Sequence, residues 1–188
     1  MPSFSDVTLQ TARLTLRPMA PADTDAVFAM RSDPLVQRYG SHPPWTDRRT
    51  AVDYIERNEQ AMAAGTHAQF AIVRREDGAV IGTCTLFHLD EPCRRAEVGY
   101  VLLPAQWGQG YANEAVTALL DWGFAHLDLN RIEADIDPRN VASARALERL
   151  GFTREGHLRE RWIVGGETSD SLLYGLLARE WRERRQGR

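Results

Sequence analysis

Residues 97 to 115 read Glu-Val-Gly-Tyr-Val-Leu-Leu-Pro-Ala-Gln-Trp-Gly-Gln-Gly-Tyr-Ala-Asn-Glu-Ala, and this run constrains the fold more than any other. Apolar residues over 96–103 predict a strand that stops at Pro104. From Gly108 the spacing changes: Ala112, Ala115, Val116, Leu119 and Leu120 recur at helical intervals through about residue 126. A strand therefore passes through a short loop into a helix whose first turn is rich in glycine. Such a terminus leaves backbone N–H groups unpaired and favours anions. Gly108 and Gly110 let a phosphate approach the backbone, and Ala112 keeps the helix start free of bulk. The dipole contributes only about 0.3–1 kcal/mol, so hydrogen bonds must carry most of the grip. Glycine-x-glycine before a helix also suits a tight turn under a closely packed helix. A dinucleotide fingerprint fits badly, because Asn113 stands where the third glycine belongs and no βαβ unit precedes the run. A Walker sequence is excluded, since all 23 basic residues are arginine.

On either side of this run the signals alternate. A strand is predicted over 13–17, a helix from Pro21 through about residue 31, and a proline-rich loop over 33–45. Thr46 is placed to cap a second helix that Gly65 stops. Strands over 68–74 and 79–87 flank Glu76-Asp77-Gly78, a hairpin signal. After the glycine-rich helix come a strand over 131–137, a helix opening at Asn140 and ending at Gly151, and a hairpin of 152–164 with 168–177 around Gly165-Gly166. The order is that of a mixed α/β (α+β) fold with a central meander, not the regular alternation of a doubly wound sheet.

With 188 residues, 43% hydrophobic and 26% charged, a single domain spanning 1–188 is expected. The N-terminal residues lack a basic segment followed by an apolar one, and no apolar run reaches the roughly 18 residues of a membrane helix. A cytoplasmic protein with no membrane partner is the expectation. Cys84 and Cys93 have no metal-ligand spacing and read as unpaired thiols. The five histidines are scattered, and none is assigned to metal or catalysis. A net charge of −3 gives no electrostatic case for nucleic acid.

The run from Glu97 to Ala115 resembles the coenzyme A signature of GNAT acetyltransferases, Gln/Arg-x-x-Gly-x-Gly/Ala, with its last two positions at Gly110 and Ala112. Trp107 occupies the first position and departs from the pattern. A second stretch, Asn140-Val-Ala-Ser143 followed by Leu147-Glu-Arg-Leu-Gly-Phe152, resembles the Asn-x-x-Ser … Glu-Lys-x-Gly-Phe segment of the ribosomal-protein N-terminal acetyltransferase (RimJ/RimL-type) branch. The opening Thr11 to Pro18 and the closing Asp170 to Tyr174 also resemble that branch, so the likeness covers nearly the whole chain.

The resemblance implies a splayed, mostly antiparallel sheet of about seven strands flanked by about four helices. It implies acetyl-CoA as co-substrate, no metal, and transfer to a primary amine by direct attack in a ternary complex. The acceptor would be a protein N-terminus or a small amine. A non-catalytic acyl-CoA sensor and a monomeric or homodimeric state are both compatible. By the same carry-over, backbone groups of Val101 and Leu103 pair with the pantetheine, and the amides of Gly108, Gln109, Gly110, Tyr111, Ala112 and Asn113 hold the pyrophosphate. Asn140 either touches the coenzyme or only caps its helix. Glu97 is the candidate base, or else a structural strand carboxylate. Ser143 is the candidate acid, with a nearby tyrosine as the other possibility, or simply a polar residue in the first turn of its helix. Tyr174 reads as a core aromatic. Tyr39 and Trp45 either line the acceptor pocket or pack the core beneath their loop.

Overall fold

The computed structural model describes residues 3–187. Eight strands form one sheet: β1 (Leu9–Gln10), β2 (Leu14–Pro18), β3 (Ala68–Arg74), β4 (Val80–Asp90), β5 (Arg95–Leu102), β6 (Arg131–Ile136), β7 (Thr153–Val164) and β8 (Glu167–Leu177). Their spatial order is β1-β2-β3-β4-β5-β6-β8-β7. All neighbours are antiparallel except β5 and β6. The helices are α1 (Thr24–Ser32), α2 (Pro34–Gln37), α3 (Arg49–Ala63), α4 (Tyr111–His126), α5 (Val141–Leu150) and α6 (Ala178–Gln186). The expected mixed fold with a mostly antiparallel sheet is therefore present.

Two cores sandwich the sheet. Strand β3 is buried along all but its last residue, because its side chains alternate between the two. Phe70 and Ile72 join the larger core with Leu119 and Leu120 of α4, Leu147 and Leu150 of α5, and Ile132 of β6. Ala71 and Val73 join the smaller one with Val27 of α1 and Ala51 and Ile55 of α3.

Parallel pairing between β5 and β6 covers only Arg95↔Arg131, Ala96↔Ile132 and Glu97↔Glu133. Beyond that point β5 stays paired with β4, Leu102 lying opposite Gly82. Strand β6 stays paired with β8, Ile136 lying opposite Leu172. The sheet thus opens into a V at Glu97, bounded by residues 98–102 on one lip and 134–136 on the other.

Several elements differ from the sequence reading. Helix α3 begins at Arg49 rather than at Thr46, and Asp47 Oδ1 accepts the Arg49 N–H at 2.8 Å. The loop over 33–45 contains α2, a single turn that Asp33 caps through the Leu35 N–H at 2.8 Å. Strand β1 and helix α6 carry almost no apolar periodicity. The polar α6 is held by the buried Trp181, whose indole N–H donates to Asp121 Oδ1 at 2.9 Å, and by Arg185, which reaches Asp121 Oδ2 at 2.9 Å.

Candidate active site

The glycine loop sits where β5 hands over to α4. Pro104–Gln106 form a 3-10 turn, and Gly108 and Gly110 take left-handed conformations with φ of 75° and 81°. An L side chain is strained there, which is why glycine fills both positions. The first bond into α4 runs from the Glu114 N–H to the Gly110 carbonyl at 3.1 Å. The amides from Gly108 to Asn113 consequently have no acceptor among the described residues, and nothing lies within 4 Å of a Cβ built on Gly108. This is a concave row of donors at a helix N-terminus, suited to a pyrophosphate.

Arg13 supplies positive charge beside it. Its guanidinium stacks 4.4 Å from the Tyr111 ring centroid and donates to the Gln109 carbonyl at 3.0 Å. Glu114, in the first turn of α4, accepts from Thr11 Oγ1 (2.6 Å), the Arg13 N–H (2.8 Å) and Arg13 Nε (2.7 Å). Burial pushes this carboxyl upward, but the hydrogen bonds from Thr11 and Arg13 win and hold it below its ordinary range. Trp107 donates its indole N–H to the Leu102 carbonyl at 2.9 Å and so fastens the loop to the strand.

The backbone groups facing the gap are not those of Val101 and Leu103. The Leu103 N–H donates to the Ile81 carbonyl at 3.0 Å. Val101 pairs with Thr83 in the same alternation, so its amide and carbonyl also face β4. The groups of Val98, Tyr100 and Leu102 point toward β6, one residue out of step with the expectation.

A cavity of about 1080 Å³ runs along the splay. Glu97, Tyr39, Val101 and Asn140 border it, together with the 36–44 loop and the tip of the β7–β8 hairpin. Burial raises Glu97 above the ordinary carboxylate range; Asp135 and Glu133 add to this, while His88 opposes it. His88 reaches Glu97 because β4 bulges between Phe87 and Asp90, where His88 adopts φ 50° and its Nδ1 comes 3.2 Å from Glu97 Oε2. Nothing in the linear sequence signals that bulge, and the place of this histidine beside Glu97 depends on it.

The other cavity carboxylates face arginine. Glu133 meets Arg95 (3.1 Å) and Arg131 (2.7 Å), and Asp137 meets Arg139 (2.6 Å). Glu155 pairs with Arg131, Glu167 with Arg139, and Asp135 lies 3.5 Å from Arg161. Among the described residues, Glu97 is the cavity carboxylate without a guanidinium partner.

Ser143 is reached through the α5 cap. Asn140 Oδ1 accepts the Ser143 N–H at 3.1 Å, and the Ser143 hydroxyl lies 2.8 Å from the Tyr100 hydroxyl. Asn140 is thus a helix cap that also borders the cavity. Burial raises the Tyr100 phenol, so it stays protonated near neutrality. Tyr174 is buried and donates to Glu148 at 3.2 Å. Tyr39 lies between the guanidinium groups of Arg38 (5.2 Å) and Arg139 (5.7 Å). Trp45 does not border the cavity; it packs edge-on to Tyr54 at 5.3 Å against the smaller core, which removes it from the acceptor wall.

A GNAT acetyltransferase domain model matches residues 13–153. The chain belongs to the GNAT acetyltransferase family. The uncharacterized N-acetyltransferase p20 from Bacillus licheniformis is 41% identical over 174 residues, covering 93% of this chain and 98% of that protein. A GNAT-family acetyltransferase structure from Bacillus anthracis superimposes with a TM-score of 0.82 at 26% identity, covering 93% of this chain and 100% of that one. A spermidine N-acetyltransferase from Vibrio cholerae, solved with CoA and spermine, gives 0.81 at 21% identity over 92% of this chain and 99% of its own, a likeness of fold alone. GNAT membership implies acetyl-CoA as co-substrate and an amine as acceptor. The glycine loop and the V of the sheet suit that coenzyme. Among the described residues no cluster has metal-binding composition, and no helix is long and apolar enough to cross a membrane.

Proposed function

We propose that this chain acetylates the α-amine of a protein or peptide N-terminus, as in the ribosomal-protein N-terminal acetyltransferase branch. The observation that carries this reading is Glu97: it stands where β5 and β6 part, faces the cavity, has no guanidinium partner among the described residues, and is held above its ordinary range by burial. A carboxylate so placed takes a proton from an amine, directly or through water. The same feature speaks against a non-catalytic acyl-CoA sensor.

Acetyl-CoA supplies the activated acyl carbonyl and the thiolate leaving group. The amides of residues 108–113 hold the pyrophosphate, and the N–H groups of Tyr100 and Leu102 face the pantetheine. The paired hydroxyls of Ser143 and Tyr100 serve as the acid that protonates the departing sulfur. Alignment of the two substrates supplies roughly 7–11 kcal/mol, so these proton transfers need add only the remainder.

The α-amine preference has two supports. The six cavity carboxylates are matched by Arg31, Arg38, Arg95, Arg131, Arg139 and Arg161, leaving no negative surplus to draw in a polycation. An α-amine of pKa about 7.7–8.0 is also roughly a tenth neutral at pH 7, whereas a lysine amine at about 10.4 is neutral in well under a thousandth of molecules. Thiol release at pH 7 is expected to give higher kcat/KM for unblocked peptides than for lysine side chains, spermidine or aminoglycosides, with the gap narrowing as pH rises. Higher values for the small amines would overturn the acceptor assignment in favour of a small-molecule acetyltransferase.

A further inference from the structure

The charges that border the cavity balance in number, but they are not all paired. Glu133, Glu155, Asp137 and Glu167 meet Arg95, Arg131 or Arg139, and Asp135 meets Arg161. What remains is one carboxylate, Glu97, and two guanidinium groups, Arg31 and Arg38, neither of which has an ion-pair partner among the described residues. The leftover charges of opposite sign lie on different walls. Glu97 stands at the splay on β5, and the arginines stand on the lip made by the end of α1 and the loop that follows α2.

Arg31 is half-buried and fixed in place. Its carbonyl accepts the Trp45 N–H at 3.0 Å, its Nη2 donates to the Tyr54 hydroxyl at 3.1 Å, and its guanidinium lies 5.5 Å from the Tyr54 ring centroid. The same hydroxyl accepts from Gln69 Nε2. Nε is sealed without a partner, whereas Nη1 is unpartnered but not sealed, on a residue that borders the cavity. Carboxylates on the neighbouring elements are engaged elsewhere: Asp25 with Arg48, Asp53 with Arg49, and Asp33 with the Leu35 N–H. A half-buried guanidinium that makes one side-chain hydrogen bond has donors to spare for an anion, and a planar carboxylate fits its fork. Arg38, on the same lip, is exposed and stacks 5.2 Å from the Tyr39 ring centroid, adding positive charge at the mouth.

The sheet register sets the spacing between the two walls. Gln69, linked to Arg31 through the Tyr54 hydroxyl, lies opposite Thr85, and Thr85 lies opposite Gly99, two residues past Glu97. Two interstrand steps of about 4.8 Å and two residues of about 3.3 Å along β5 separate Gln69 from Glu97 by roughly 12 Å. An extended peptide rises about 3.3 Å per residue, so one whose terminal amine lies at Glu97 brings the side chain of its second or third residue to the arginine lip. We infer that the acceptor is a peptide with an acidic side chain at its second or third residue, whose carboxylate Arg31 binds, with Arg38 beside it, while the α-amine lies at Glu97. The inference rests on the N-terminal acetyl-transfer reading and adds to it a preference for acidic peptides.

The test is thiol release by the full chain with acetyl-CoA and matched unblocked peptides that carry Glu or Gln at residues 2 and 3. For the wild type, kcat/KM is expected to be about 10–100-fold higher for the Glu peptides, mainly through a lower KM. That advantage should shrink as salt is raised. Arg31→Gln should bring the Glu-to-Gln ratio to within about threefold of unity, because the fork that reads the carboxylate is gone. If Arg31→Gln fails to fold, the exposed Arg38→Gln is expected to lower the same ratio about threefold. A wild-type ratio within twofold of unity would overturn the inference while leaving N-terminal acetylation intact. A ratio that survives Arg31→Gln, or that Arg38→Gln leaves unmoved when Arg31→Gln does not fold, would overturn the assignment to this lip. Failure of the wild type to acetylate any of the peptides, with small amines acetylated instead, would overturn the functional reading, and this inference with it.

Discussion

Where β5 hands over to α4, past the open end of the V, the contacts on offer are backbone: six amides in a row, two glycines at positive φ, and the unpaired edge of β5 beyond Glu97. At the other end they are side chains drawn from distant stretches of chain, namely Tyr39 after α2, Glu97 on β5, Asp135 on β6 and Trp162 on β7. The first end needs a few residues of fixed type at fixed spacing and little else. The second needs residues that meet only after the whole sheet has formed, and its charges are set by which carboxylate an arginine reaches. A constant coenzyme suits the first construction and a particular amine suits the second. The two ends should therefore fail differently under mutation.

The largest expected effect lies at the side-chain end. Glu97→Gln should lower kcat about 10²–10⁴-fold, the usual range for a general base. Calorimetric affinity for acetyl-CoA should not change. Since the base works deprotonated and burial holds Glu97 above the ordinary carboxylate value of about 4.3, wild-type activity should rise with pH through a limb lying above that value. The limb should vanish in the variant. Unchanged kcat, or a limb that persists, would make Glu97 a structural carboxylate.

At the backbone end, Gly110→Val should weaken acetyl-CoA binding about 100-fold, with left-handed strain contributing roughly 1–2 kcal/mol and lost phosphate approach the rest. Gly108→Ala has open space around its new methyl group and φ 75°, so only the strain applies and a loss near tenfold is expected. Equal affinity of Gly110→Val and wild type would remove the loop from the coenzyme site.

This contrast also explains what was legible in the sequence. Gly108, Gly110, the switch to helical spacing and the Asn140 cap each encode a local conformation, and a local conformation leaves its mark in adjacent residues. The register of β5 left no such mark. Which of two neighbouring residues turns its amide to the gap depends on pairing with β4, and the expectation of Val101 and Leu103 was one position out for that reason. His88 depends on a bulge, and the pairing of Tyr100 with Ser143 on two elements 43 residues apart. Trp45 and Tyr39 looked equivalent in the loop; only the packing of α3 against it turned Trp45 inward. Helix α6 carries no apolar stripe that marks it in the sequence, because its composition is almost wholly polar.

The acid assignment gives a smaller effect. Because the hydroxyls of Ser143 and Tyr100 are 2.8 Å apart, each can relay through the other. Ser143→Ala and Tyr100→Phe are each expected to lower kcat about 10-fold, and the double variant by less than the product, as for groups that act as a unit. Unchanged kcat in both single variants and in the double would take the pair out of the mechanism.

The smallest effect concerns how the coenzyme end is fastened to the rest of the sheet. Glu114 gathers three donors from Thr11 and Arg13 and ties the β1–β2 corner to the first turn of α4. Arg13 is 47% exposed on its side chain, so solvent screens the ionic part and the hydrogen bonds dominate. Glu114→Gln should cost about 1 kcal/mol of stability near pH 7. Because the folded carboxyl titrates below its unfolded value of about 4.3, this contribution is fully present above that value. It fades as pH falls through the lower folded pKa. Denaturant unfolding of wild type and variant should therefore show a gap at pH 7 that closes on acidification. Amine KM should be unaffected at neutral pH, because the fastening lies at the coenzyme end. A gap that persists unchanged into strong acid would mean that Glu114 acts through packing rather than through its charge. A raised amine KM would mean that the two ends are mechanically coupled, and would break the separation between them.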